Sequence, residues 1–553
     1  MAFIFESKIT FFVNDDVLLS QMLSGEYTGK PSSGVTFISN ILGNFISWFH
    51  QNNISRISIY GIILSILNLI ILFAVIKIIQ MKDNQTANWL GLSTLALIFP
   101  VLLISPTFTI TAILLIGIGI LGITLCIVRF HEKNIHFVFF ILLIIAGILI
   151  RIEALYGNII FLLPACVAFI FLNYSNESNR RFIEFSSITM LCIIAVLFYQ
   201  HTIQEQMMKI DFEFMNYVRF QDVLNTYTPA SLKLHQEIIS GNVMRGIWSN
   251  VDFIILRNWA YADFSIFGYK NMSLGSDSVS SFSGFKGVMN ADLFETLKLM
   301  TFYLKDQLQI IIGLISVSLL VLIKNVNRKR TLALLAILNL SYLAGFYFLA
   351  AILRIPDRTS FPLLIVFLIF LIISTKEQAN KNEKNQYKLV ISLLLLIFTV
   401  LFHLNNNFGL SKLISSNSNR LDFSFQRNAE LENFSKNAIY VGPLTYFPTV
   451  NQGIFSKNVY WSSGERILPL SWATYSPNWY DMVRKLGLDD SNIYNSLAKQ
   501  ENVYWVSNSY LAEILNMYMN DRKIYRGKLC SVAKLSGPDQ AEIFTYQAKE
   551  DDC

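Results

Sequence analysis

The chain has 553 residues, of which 53% are hydrophobic and only 15% charged, with a mean hydropathy of +0.45. A soluble chain carries about 25% charged residues, and a water-soluble globule of this size cannot hide so much apolar surface, so lipid must be the solvent for a large part of it. The net charge of +6 resides in short loops between apolar runs, which is a membrane-orientation pattern and no argument for nucleic acid.

In chain order, Met1–Val13 is too short to span a membrane and contains Glu6 and Lys8. It is either the remnant of a first span or a terminus lying in the outer interface; we favour the first, which would give an intact architecture of about eleven spans. Asn14-Asp15-Asp16 follows. Two adjacent carboxylates beside a membrane are costly unless solvated, paired or used; a partly desolvated one would have a raised pKa and serve as a base. The plainer reading is a loop capping the helix-like stretch Val17–Leu23. Over residues 35–50, Phe37, Ile41, Phe45 and Phe49 recur every four, beside a row of Ile38, Leu42 and Ile46, with Ser39, Asn40, Gly43, Asn44 and Ser47 opposite. That period predicts a helix too short and too polar to span, lying in the interface.

Apolar runs suited to spans occur near 56–80, 87–105, 107–128, 135–150, 158–173, 185–200, 308–324, 331–353, 360–375 and 388–404. Alternate loops carry Lys77 and Lys82; Arg129 and Lys133; Arg180 and Arg181; Lys324, Arg328, Lys329 and Arg330; and Lys376, Lys381, Lys384 and Lys388. All fall on one side, which is therefore the cytoplasm. Segments 14–55, 151–157, 201–307, 354–359 and 405–553 are expected outside.

Arginines at outer helix ends run against this bias. Arg151 closes an apolar run and Glu153 follows it; Arg354 and Arg358 share a very short loop with Asp357. Guanidinium groups bind phosphate in a forked geometry and stay charged in partly dry sites, so an outer arginine pocket suits a lipid-linked phosphate or pyrophosphate. Snorkelling, or pairing of Arg151 with Glu153 and Arg358 with Asp357, is the simpler alternative. Arg257 and Lys270, in the 201–307 insertion, are weaker candidates, and His201 and His235 are candidates for proton transfer. The Ser- and Gly-rich stretch Asn271–Gly287 reads as a loop, either a lid or without function.

The tail, 410–553, alternates strand-like runs (Ala438–Val441, Asn458–Trp461, Val503–Val506, Glu542–Tyr546) with helix-like ones (Trp479–Leu486, Leu511–Met519), predicting a small α/β domain. Cys126, Cys166 and Cys192 fall in apolar runs; Cys530 and Cys553 would be able to pair in an oxidising compartment. Low Pro with abundant Ile, Asn, Lys and Phe suggests an AT-rich bacterial source.

Taken together, the sequence reads as a polytopic α-helical membrane protein of about 10–11 transmembrane helices with outer interface helices, as module 1–409, plus a C-terminal α/β extracytoplasmic domain, 410–553. It resembles the GT-C class of integral membrane glycosyltransferases: Asn14-Asp15-Asp16 occupies the acidic-pair position of the first outer loop, 35–50 matches the interface helix and 410–553 the terminal domain. The segment from Asn14 through Ser24-Gly-Glu-Tyr-Thr-Gly29 also looks like membrane proteins of bacterial surface-polysaccharide clusters. The resemblance implies a sugar moved from a polyprenyl-phosphate donor to a glycan or lipid-linked acceptor at the outer face of the plasma membrane, with inversion. Asp15 or Asp16 would be the base, and Arg151, Arg354 and Arg358, with Arg257 and Lys270, would hold the donor phosphate. No cofactor is required; the carboxylates would accept a divalent metal, but nothing demands one. Two other readings remain open. An O-antigen or capsule repeat-unit polymerase would depend on Arg219 or Arg257 rather than the acidic pair. A lipid-linked sugar transporter or flippase would want ionisable groups at the midplane, where the sequence has almost none.

Overall fold

The computed structural model describes residues 11, 14–26, 30–52, 58–82, 85–128, 134–173, 176–227, 249–273, 293–308, 310–312, 314–315, 318, 328–352, 357–374, 399–400, 402–404, 406–435, 437–447, 466–522, 527–537 and 539–548. The protein is a mostly helical membrane protein with a small C-terminal sheet. Six helices among these residues are long and apolar enough to cross a membrane: Ile59–Lys82, Phe108–Val128, Glu153–Leu172, Phe182–Ile210, Lys329–Ala351 and Asp357–Ser374; two shorter apolar helices are Asn88–Ile104 and Ile135–Ile150. Eight of the ten expected runs are thus helices, and 308–324 and 388–404 lie mostly outside the described residues.

We name the elements α1 (Asn14–Ser24), α2 (Asn40–Gln51), α3 (Ile59–Lys82), α4 (Gln85–Ile104), α5 (Phe108–Val128), α6 (Asn134–Ile150), α7 (Glu153–Leu172), α8 (Asn176–Ile210), α9 (Phe212–Tyr227), α10 (Asn250–Arg257), α11 (Leu293–Leu304), α12 (Arg328–Ile352) and α13 (Asp357–Ser374). Helix α5 is the axis of the bundle and is buried almost throughout. It can sit there because Gly119 and Gly122 let α6 approach: a Cβ on Gly122 would lie 2.2 Å from the Phe140 ring. Polar ties crosslink the bundle. Asn68 Nδ2 donates to the Leu102 carbonyl at 2.7 Å and Thr111 Oγ1 to Asn68 Oδ1 at 2.8 Å, while Asn158 Nδ2 donates to the Ile113 carbonyl at 3.1 Å. These ties join α3, α4, α5 and α7, and contacts at the helix ends gather the starts of α3, α5 and α13 and the α6–α7 joint at one end of the bundle. By contrast, the most apolar window of Phe182–Ile210 buries nothing in the protein, as suits a helix bathed in lipid.

Helix α2 begins at Asn40, capped by Ser39, five residues later than the periodicity suggested. Its inward face is also not the aromatic one. Asn40, Gly43, Ile46 and Ser47 are buried, while Phe45 and Trp48 are each 52% exposed. Small residues allow close packing on the protein, leaving the large rings for a lipid interface.

The tail opens with α14 (Leu410–Phe434), stitched to the end of α4 by Asn417, whose Nδ2 donates to the Ile104 carbonyl at 3.2 Å and whose Oδ1 accepts from Ser105 at 3.1 Å. It continues as β1 (Ile439–Pro443), β2 (Ile467–Leu470), α15 (Pro477–Leu486), α16 (Ile493–Lys499), β3 (Val503–Asn508), α17 (Ser509–Asp521), β4 (Lys528–Lys534) and β5 (Ala541–Gln547). Strand order is β2-β1-β3-β5-β4; β1 runs parallel to β2 and β3, and β5 antiparallel to β3 and β4. Three of the four expected strands correspond to β1, β3 and β5; Asn458–Trp461 lies outside the described residues. The edge strands β2 and β4 were not expected. Pro469 lowers the strand signal of the first, and Lys528 and Lys534 bound the second; both residue types belong on edges. Cys530 is disulfide-bonded, and Cys553 lies outside the described residues.

The insertion is bolted to the tail. Asp263, 2% exposed, accepts from Asn492 Nδ2 and Tyr518 OH, each at 2.8 Å, and from Ser265 N at 3.0 Å. Asp252 pairs with Arg522. Asp263→Ala leaves two buried donors without an acceptor, so we expect a loss of about 2–4 kcal/mol. Limited proteolysis in detergent should then cut within 249–273 well before it cuts the parent there.

Candidate functional site

Helix α1 delivers the acidic pair. Leu18, Leu19, Met22 and Leu23 are buried and hold the helix on the bundle, and Asp16 and Ser20, four apart, share a face. Ser20 meets the Ser58 hydroxyl at 2.6 Å, and Tyr60 OH donates to Asp16 Oδ1 at 2.7 Å. The Phe108 N–H, at the start of α5 where helical amides lack partners, donates to the same oxygen at 3.1 Å. Asp16 is therefore fully buried and clamped between two span ends. Its second oxygen, Oδ2, has no hydrogen-bond partner among the described residues. Burial pushes this carboxyl from the ordinary 3.8 up to about 7; the Tyr60 hydroxyl, the Thr107 hydroxyl nearby and the Phe108 N–H pull it down by less, and the charge on Asp15 pushes it further up.

Asp15 faces the other way, toward α13. Arg358 Nη1 donates to its Oδ2 at 2.9 Å, an ion pair joining residues 343 apart in sequence. Both side chains keep about a fifth to a quarter of their surface, 22% and 24%. Arg358 thus pairs not with adjacent Asp357, the simpler alternative raised by the sequence, but with a residue distant in the chain.

Arg151, in the two-residue joint between α6 and α7, donates from Nη1 to Thr109 Oγ1 at 2.7 Å and pairs with Glu153 at 3.5 Å. Its guanidinium lies over the rings of Phe108 and Phe37, at 4.9 and 5.5 Å from their centroids. Burial draws its pKa down; Glu153 raises it, Arg358 lowers it, and Asp15 and Asp16 raise it. The two arginines and the two aspartates therefore share one electrostatic environment. Phe37 stacks on Phe108 at 5.7 Å and holds a left-handed φ of 76°, a conformation that a non-glycine residue keeps only when its surroundings impose it.

The other candidates are not gathered here. Arg354 and His235 lie outside the described residues. Arg257 ends α10, the helix docked on the tail, and its side chain is not described. Lys270 is exposed, and no described contact ties it to the acidic pair. His201 pairs with Glu205 at 3.2 Å on the surface of α8, where it faces no part of the site. Of Asn271–Gly287, residues 271–273 continue a short helical segment and the rest lies outside the described residues. No group of three His, Cys, Asp or Glu side chains able to share a metal is present among the described residues.

Sequence reasoning missed Tyr60, Thr107, Thr109, Phe37 and Phe108 as site residues. The brevity of the Ser105-Pro106-Thr107 turn holds the start of α5 beside the end of α4, but nothing in the sequence brings α1 to it.

No protein-family model matches the chain, and no curated protein matches it. Among solved structures, the crystal structure of ArnT from Cupriavidus metallidurans in the apo state is similar over 98% of this chain and 95% of that one, at 9% identity and a TM-score of 0.38. A likeness of that degree says nothing of chemistry, which must be argued from the residues themselves.

Proposed function

We propose that the protein is a membrane glycosyltransferase of the GT-C type. It would move a sugar from a polyprenyl-phosphate donor to a glycan or lipid-linked acceptor at the outer face of a bacterial plasma membrane, in the assembly of a surface polysaccharide. The observation that carries this reading is the Asp15–Arg358 pair at 2.9 Å, which, with Asp16 and Arg151 beside it, gathers two carboxyl and two guanidinium groups at one end of the bundle, the groups that a base and a phosphate site would need. That end is the one remote from Lys77, Lys82 and Arg180, hence external by the distribution of basic loops. The disulfide at Cys530 suits a tail in an oxidising compartment.

The step balances as a single displacement. The acceptor hydroxyl gives its proton to Asp16 Oδ2 as its oxygen attacks the anomeric carbon. The bond from that carbon to the donor phosphate oxygen breaks, and the electron pair leaves with polyprenyl phosphate. Arg358 and Arg151 meet the negative charge that grows on the phosphate in a partly dry site, where such contacts count most. Asp15 orients Arg358. Arg354, four residues before Arg358, joins the phosphate group by sequence position alone; Arg257 and Lys270 take no part in the step as drawn.

The test is sugar transfer from a polyprenyl-phosphate sugar in membranes carrying the full chain. Arg358→Ala should lower transfer about a hundredfold or more, and Arg358→Lys should recover only part of it, because an ammonium lacks the fork. Asp15→Asn combined with Arg358→Ala should cost little more than either alone, as expected of a pair acting as a unit. Full transfer by Arg358→Ala would discard the arrangement. A repeat-unit polymerase would instead tolerate changes at Asp15 and Asp16 and depend on Arg257 or on Arg219, which here lies 5.9 Å over the Tyr269 ring.

A further inference from the structure

The tail domain reaches the membrane site. After β2, the chain turns through Ser471-Trp472-Ala473-Thr474, and that turn is held rigidly. Gln221 Nε2 and Tyr217 OH donate to the Trp472 carbonyl at 2.7 and 3.4 Å, Tyr261 OH donates to the Ser471 carbonyl at 2.8 Å, and the Ser471 N–H donates to Thr474 Oγ1 at 3.0 Å. What these bonds aim is the Trp472 indole. It meets the Phe37 ring edge-on, 5.0 Å between centroids, and Phe37 is the ring that stacks on Phe108 beneath Arg151.

Around this stack, three buried polar atoms have no partner among the described residues: Asp16 Oδ2, Thr107 Oγ1 and Trp472 Nε1. Their residues are 0%, 1% and 3% exposed. The Thr107 hydroxyl lies close enough to Asp16 to draw its pKa down, yet neither Thr107 Oγ1 nor Asp16 Oδ2 has a partner of ordinary hydrogen-bond geometry among the described residues. Each such orphan weakens the fold, and folded proteins keep few of them. The segment that follows carries more, at Tyr475 OH, Asn478 Nδ2 and Trp479 Nε1, and Tyr475 holds a left-handed φ of 68°.

We propose that Trp472 Nε1, Thr107 Oγ1 and Asp16 Oδ2, arranged about the Phe37 ring, form a sugar-binding subsite in which the tail domain grips the acceptor. The proposal rests on the transfer reading above and deepens it. Chemistry decides the ligand class. One N–H donor, one hydroxyl that can give or accept, and one carboxylate oxygen that accepts from an O–H match the hydroxyls and ring oxygen of a pyranose, while the aromatic edges suit its C–H face. An acyl chain would satisfy none of the three atoms. A phosphate would face the Asp16 carboxylate, and is better placed on Arg358 and Arg151. The base thus lies within the acceptor's subsite, as proton removal from the acceptor requires. Trp472 acts by binding, and it makes the tail part of the active enzyme.

The experiment reads binding without donor or turnover, so its result is separate from that of the transfer assay. Purified full chain in lipid nanodiscs is titrated with the methyl glycosides of glucose, galactose, mannose and N-acetylglucosamine and followed by saturation-transfer NMR. At least one glycoside should bind saturably. Trp472→Phe, which keeps an aromatic ring and removes the N–H, should weaken that binding about tenfold, the value of one net hydrogen bond, and Thr107→Val should weaken it comparably. Thermal unfolding of both variants should match the parent. Absence of saturable binding by every glycoside, or binding unaltered by Trp472→Phe in a folded variant, would overturn the subsite and assign the orphan atoms to water.

Discussion

Asp16→Asn should abolish sugar transfer, by a factor of about 10²–10⁴, in a protein that still folds. The carboxamide oxygen can accept from Tyr60 and the Phe108 N–H as Oδ1 does now, so the clamp between α1, α3 and α5 persists while the base is lost. The pH dependence has a definite sign. With its folded pKa raised to about 7, Asp16 is protonated and idle below that pH, so parent transfer should fall as pH drops through about 7. Stability should run the opposite way. A carboxyl whose pKa is higher folded than unfolded favours folding below the unfolded value of 3.8, and this contribution is lost as pH rises through about 7. Asp16→Asn carries no such loss, so at about pH 8 it should unfold no earlier than the parent. Transfer assays and thermal unfolding in detergent across this range give both readouts. Undiminished transfer in the variant, or a parent profile flat through neutrality, would remove Asp16 as the base.

The largest structural effect is expected at Arg427. It is wholly buried, and its guanidinium donates to the Tyr446 and Ser536 carbonyls at 2.7 and 2.6 Å and to Asp539 Oδ1 at 2.8 Å. The Phe423 ring lies 4.6 Å from its Cζ. Gly537, beside it, has a φ of 132°, and a Cβ there would fall 2.2 Å from Phe423 and 3.0 Å from Arg427 Nη2, so only glycine fits against this pair. Arg427→Met strands the Asp539 carboxylate and two carbonyls, which should cost about 3–5 kcal/mol, and Arg427→Lys should rescue little because one ammonium cannot serve three directions. The tail should then melt ahead of the bundle, seen as early exposure of Trp479 and Trp505 by fluorescence, and transfer should fall with it if Trp472 binds the acceptor. A tail melting with the parent's would show that packing alone holds α14 to the sheet.

Much of the architecture was legible in the sequence because it follows from composition. Eight apolar runs found their helices, since lipid leaves a chain of that hydropathy no other way to satisfy its backbone. The tail's β1, β3, β5, α15 and α17 followed from β-branched and aromatic runs and helical period. The failures have causes too. Period alone did not say which face of α2 meets the protein, because in a membrane protein apolarity no longer marks the inside: Gly43 and Ser47 pack inward while Phe45 and Trp48 point out. Strand β2 was hidden by Pro469, and α14 by a polar composition that its burial of Arg427 makes sense of.

At the site, the sequence alone marked Asp15, Asp16, Arg151 and Arg358 as charges in unlikely places, because ionised groups beside hydrocarbon need a reason. Residue order does not say which of them meet. Pairing of Arg358 with Asp15 rather than with adjacent Asp357, burial of Asp16 against Tyr60 and Phe108, and the approach of Trp472 to Phe37 all depend on contacts between residues far apart in the chain. Those distances are set only when α1 packs on the bundle and the tail folds back over it, for the energy of a charge is fixed by its neighbours in space and by how much water they displace.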